Sequence, residues 1–119
     1  MQPTYGDGGY SLMFPLIYKW RDPGRGDVVA IRMPGGGAFY VKRILGLPGE
    51  EIQFDKGRLL INQQTIPEPY IQHRGEWDLQ PIRIPTGYYF VAGDNRLTSF
   101  DGHTLGTVSR KRIAGIVYP

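Results

Sequence analysis

Lys42 stands in "AFYVKRILGLPGE" (38–50), directly after Phe39, Tyr40 and Val41 and shortly before a Gly-Leu-Pro-Gly turn. An ammonium among apolar neighbours has two courses. It can extend its stem to water, or it can lose proton affinity by desolvation and become available as a general base near neutral pH. A second polar concentration, "GDNRLTSFDGHTLG" (93–106), gathers Asp94, Asn95, Arg96, Ser99, Asp101 and His103 between glycines. Such loops commonly satisfy their own backbone, and they also form active-site walls at strand ends. His103 beside Ser99 invites a Ser–His pairing, but spacing in sequence says nothing about geometry.

The elements that must position these residues read as strand after strand. "GDVVAIRMP" (26–34) and "AFYVKRILG" (38–46) are β-branched and aromatic runs that pair as a hairpin across Gly35-Gly36-Gly37. "EEIQF" (50–54), the turn "DKG" (55–57) and "RLLINQ" (58–63) read as a second hairpin. "PIRIP" (81–85), "GYYFVAGD" (87–94) and "RIAGIVYP" (112–119) supply further strands, and Ile66 to Gln80 reads as a long surface loop. A short helical piece is expected around Thr98–Thr107. Strand alternation puts Tyr40 and Lys42 on one face and Val41 and Arg43 on the other, so one of the two cations must point inward or along a groove. The expected fold is a single all-β domain over residues 1–119, a small irregular barrel or sandwich with little helix.

Composition narrows the chemistry. Glycine (17) and proline (10) are abundant enough to favour turns over long helices. There is no cysteine, which removes disulfides, thiolate metal sites and a thiol nucleophile. His73 and His103 lack ligand spacing, so neither a metal nor another cofactor is expected. The net charge of +3 has no dense Lys/Arg block behind it, and no nucleic-acid partner is expected. The most apolar segment, "YSLMFPLIY" (10–18), is too short to span a bilayer and contains Pro15. It reads either as ordinary core strand or, with Tyr18 and Trp20, as a segment resting on a membrane surface.

Taken in order, "MQPT", "GDVV", "KRILGLPGE" and "GDNRLTSFD" resemble the motifs of the bacterial type I signal peptidases, and the resemblance covers essentially the whole chain. It implies a membrane-anchored serine endopeptidase, with its catalytic domain on the extracytoplasmic side, that removes signal peptides from exported preproteins after a small-x-small sequence. The family uses a Ser–Lys dyad. By this resemblance Lys42 matches the general base and Ser99 the hydroxyl that orients it. Arg43 and Asp94 match a supporting ion pair, and Asp101 a conserved acidic position. Met1, Pro3, Tyr40 and Val41 match positions on the substrate-binding side. Physically this is coherent, because a lysine amine can take a serine proton only when burial lowers its pKa, and a neutral hydroxyl partner leaves that pKa low.

The sequence departs from the pattern in three places. The family's nucleophilic serine stands immediately before the methionine matching Met1, so this chain as given is expected to be inactive; Ser11 belongs to a different motif and does not replace it. His103 stands where the family often has arginine, and Phe14-Pro15 where many members carry a lysine. The short region from Phe54 to Pro85 implies a compact member without a large inserted domain. Two other functions stay open at this point. One is a non-catalytic binding or assembly protein of the same fold, for which a buried amine has no use. The other is a self-cleaving repressor domain with the same dyad, which the "GDNRLTSFD" loop fits less well.

Overall fold

Antiparallel pairing organises the whole chain, because each short apolar run is too narrow to bury itself and each is followed by residues that turn. The computed structural model describes residues 12–15, 18, 21–32, 39–71, 75–94, 96 and 106–118. The strands are β1 (Leu12–Phe14), β2 (Val28–Arg32), β3 (Phe39–Gly46), β4 (Glu51–Asp55) and β5 (Arg58–Ile61), then β6 (Gln64–Thr65), β7 (Leu79–Arg83), β8 (Tyr88–Ala92), β9 (Thr107–Ser109) and β10 (Ile113–Tyr118). A one-turn 3-10 helix, Arg110–Arg112, joins the last two. They form a six-stranded sheet ordered β1-β10-β2-β3-β8-β9 and a four-stranded sheet ordered β6-β5-β4-β7. The all-β reading holds.

The two expected hairpins form with the registers that alternation requires: Val29 opposite Lys42 in β2–β3, and Ile52 opposite Ile61 in β4–β5. Lys56 and Gly57, between β4 and β5, both have positive φ (49° and 83°), the handedness that matches the twist of the flanking strands. "RLLINQ" is not one strand, however. Asn62 and Gln63 also take positive φ, at 50° and 69°, and turn the chain back into the two-residue β6.

Nor is the stretch from Ile66 to Gln80 simply a surface loop. It is irregular up to β7, yet Glu68 and Trp77 within it are buried, and Ile66 and Tyr70 pack against the core. Of the expected helical piece, Thr107 opens β9, and residues 98–105 lie outside the described residues. "YSLMFPLIY" contributes β1, an edge strand on β10, with Phe14 exposed. Tyr18 is no free membrane anchor. Its hydroxyl donates to Asp27 at 2.8 Å, and Arg21 and Arg110 lie against its ring. Trp20 lies outside the described residues.

The main core sits between the sheets. Leu45, Phe90 and Ala92 from the larger sheet meet Ile52, Phe54, Leu59 and Ile61 from the smaller, with Trp77 edge-on to Phe54. The other face of the larger sheet carries Val29, Ile31, Ile44 and Val91, with Tyr40 packed beside them. Val28, Ala30, Ala114 and Val117 make a third, smaller cluster that includes Val41. β3 therefore has apolar packing on both faces, and its two central cations must each be accommodated.

Candidate active site

Lys42 lies in β3 directly opposite Val29, which is fully buried, and two residues from both Tyr40 and Ile44. Strand alternation puts it on their face. The amine is only half-exposed as a result, and burial holds its pKa below the ordinary lysine value. Desolvation alone accounts for the shift, since an ammonium in apolar surroundings loses hydration that its neutral form does not need. Reaching backward along the same register, Val29 faces Ile116 and Ile116 faces Phe14, so one row runs from the exposed edge of the sheet to Lys42.

Arg43 points the other way and is held by several partners. Its Nε and Nη2 donate to Oδ1 and Oδ2 of Asp94 at 2.9 and 2.8 Å, and its Nη1 donates to the Gly26 carbonyl at 2.9 Å. Asp94 is fully buried, and the guanidinium lies 4.0 Å over the ring of Tyr70. The planar, always-charged fork of arginine suits this combination of bidentate pairing and stacking, which lysine could not reproduce. Asp94 comes to Arg43 because β8 is the next strand in the sheet, with Ala92 opposite Arg43.

A second buried pair stands behind the first. Arg96 donates from Nη1 to Glu68 Oε1 at 2.7 Å and from Nε to the Gly93 carbonyl at 3.1 Å, and both side chains of the pair are fully enclosed. The Tyr70 hydroxyl donates to the other oxygen of Glu68 at 2.7 Å. Burial, then the bond to that carboxylate and its charge, push the Tyr70 hydroxyl well above the ordinary tyrosine pKa, so it stays a donor. Phe54 and Trp77 flank the Arg96 guanidinium at 5.5 and 5.7 Å.

The turn that follows Lys42 is pinned as well. Glu50 accepts from Leu47 N–H at 2.7 Å and takes both nitrogens of Arg25 at 2.6 and 2.7 Å. This explains why a glutamate closes "GLPGE": its carboxylate ties the β3–β4 turn to the segment entering β2.

Of the residues singled out from sequence, Lys42, Arg43, Asp94, Tyr40 and Val41 are described. Arg43 and Asp94 are joined directly; Tyr40 joins the Lys42 face and Val41 the opposite one. Ser99, Asp101, His103, Met1 and Pro3 lie outside the described residues. Glu68 and Tyr70 went unnoticed in the sequence, where "PEPY" is a polar, proline-rich stretch without periodicity. Its available signal was a carboxylate beside an aromatic donor in a loop otherwise built for solvent. Among the described residues there is no group of three or more potential metal ligands and no helix long and apolar enough to cross a membrane.

Compared with known proteins, residues 1–118 match the family described as signal peptidase, peptidase S26. A signal peptidase I of Bacillus licheniformis is 36% identical over 126 residues, covering 97% of this chain and 68% of that protein. A probable signal peptidase I-2 of Synechocystis is 32% identical over 97% of this chain, which spans 56% of that relative's length. The crystal structure of a signal peptidase I from Enterococcus faecalis superposes with a TM-score of 0.61 at 29% identity, covering 79% of this chain and 95% of that one.

Proposed function

The chain belongs to the signal peptidase family, peptidase S26, and from that membership we propose that it is the extracytoplasmic catalytic domain of a membrane-anchored serine endopeptidase that cleaves signal peptides from exported preproteins. The observation that carries this reading is the half-buried Lys42 with its depressed pKa, one strand away from the start of the "GDNRLTSFD" segment.

In the proposed reaction the neutral amine of Lys42 takes the proton of a serine hydroxyl as that oxygen attacks the scissile carbonyl, then returns it to the departing amine. Ser99 fixes the direction of the Lys42 amine, while Asp101 supports the segment that carries Ser99. An extended substrate binds by strand addition, with Tyr40, Val41, Met1 and Pro3 along its path and shallow pockets that admit small side chains. The exposed Phe14 and Phe39 support contact with a membrane surface, where apolar rings can enter the headgroup region.

The test reads cleavage directly. A form with serine immediately before Met1 is incubated with a peptide containing a small-x-small site. Cleavage after the second small residue, reduced about 10²–10⁴-fold by Lys42→Met, is the expected result. Absence of cleavage, or cleavage indifferent to Lys42→Met, overturns the reading.

A further inference from the structure

Glu68, Arg96, Gly93, Asp94, Arg43 and Tyr70 close a ring. Glu68 holds Arg96 at 2.7 Å, Arg96 holds the Gly93 carbonyl at 3.1 Å, and the chain continues from Gly93 to Asp94. Asp94 is joined to Arg43, Arg43 lies over Tyr70, and the Tyr70 hydroxyl returns to Glu68 at 2.7 Å. Three separate parts of the chain meet in it: β3 beside Lys42, the segment leaving β8, and the irregular stretch before β7.

Stability is a poor reason for this arrangement. An apolar pair of similar volume commonly serves a core as well as a buried ion pair does. Here one nitrogen of Arg96, Nη2, is buried with no hydrogen-bond partner among the described residues, a further cost. What the ring supplies is position, because each hydrogen-bonded link is directional and the Glu68–Arg96 link is fully enclosed.

We propose that Glu68 is a positioning residue of the site: through Arg96 and Tyr70 it holds Gly93, Asp94 and Arg96, where the chain leaves β8, in place against β3 beside Lys42. This rests on the Ser–Lys reading above, since the segment so held is the one that leads to Ser99. Glu68 touches no reacting atom. Its effect passes through Arg96 to the Gly93–Asp94 backbone and through Tyr70 to the face of Arg43.

The test reads two nuclei in the full chain by NMR: the titration of Lys42 with 13C-labelled lysine, and solvent exchange of the Arg43 Nε–H that Asp94 accepts. Glu68→Gln and, as the milder change, Tyr70→Phe are expected to move the Lys42 titration upward toward an ordinary lysine and to speed Arg43 Nε–H exchange about tenfold. The double variant Glu68→Leu/Arg96→Met removes the buried pair as a unit and is expected to recover the urea midpoint without recovering either signal. Signals unchanged in both single variants, or restored together with the midpoint in the double variant, overturn the proposal. If Lys42 of the unsubstituted chain titrates as an ordinary lysine, the Ser–Lys reading falls, while Arg43 Nε–H exchange still decides whether Glu68 holds the segment. Should Glu68→Gln fail to fold, Tyr70→Phe decides.

Discussion

Arg43 and Asp94 meet as a two-toothed pair, Nε to Oδ1 at 2.9 Å and Nη2 to Oδ2 at 2.8 Å, with the carboxylate fully buried and the arginine nearly so. Removing one partner leaves the other charged and enclosed. Asp94→Ala is therefore expected to cost about 3–5 kcal/mol of stability, read as a lower urea midpoint at constant slope. A loss below about 1 kcal/mol, the range of an exposed pair, would show that water reaches the site.

Lys42 carries a pH signature of the opposite kind. Its pKa is lowered in the folded chain by burial, so the unfolded chain binds the extra proton over the range between the folded and unfolded values. Stability therefore rises with pH across that window and levels off above the ordinary lysine value. Lys42→Met removes this slope and raises the unfolding midpoint at neutral pH. An unchanged slope between neutral pH and the lysine range would count against the buried amine.

Glu50 gives the acid limb. Burial raises its pKa, but hydrogen bonds from Arg25 and Leu47 N–H, with the charge of Arg25, outweigh that and leave it below the usual carboxylate value. A depressed folded pKa means stability present above the unfolded value near 4.5 and lost as pH falls through the folded one. Glu50→Gln is expected to cost about 0.5–1 kcal/mol at neutral pH, since the pair is partly solvated. The deficit should vanish in strong acid, where both forms are neutral. A deficit that persists there would point to packing instead.

Gly115 tests the edge of the larger sheet. A Cβ there would stand 2.7 Å from both the Phe14 carbonyl oxygen and Pro15 Cα, so backbone must move. Gly115→Ala should peel β1 from β10, with a cost of about 1–3 kcal/mol and loss of hydrogen-exchange protection confined to the β1–β10 pairing. Equal loss of protection in β2 and β3 would mean that β1 folds as one unit with the sheet centre.

The hairpins β2–β3 and β4–β5 were legible because alternation and turn chemistry agree locally, down to the opposite faces of Lys42 and Arg43. β6 was not, since its turn forces Gln63 into positive φ and glutamine carries no signal for that conformation. The irregular stretch before β7 looked solvated because Glu68 is polar in isolation; it is buried only because Arg96, 28 residues later, neutralises it. The partnership of Arg43 with Asp94 likewise spans 51 residues and was legible through the family motif rather than any local pattern.

Strands β3 and β8 are neighbours in the larger sheet, although the whole smaller sheet lies between them in sequence. That sheet is thus one excursion that leaves and rejoins the scaffold at almost the same place. Phe54 and Trp77 within it flank Arg96, whereas the exposed Asn62–Gln63 turn bonds back to Glu51, where the excursion begins. That turn is a natural splice point for a foreign loop that keeps the two hydrogen bonds between Asn62 and Glu51.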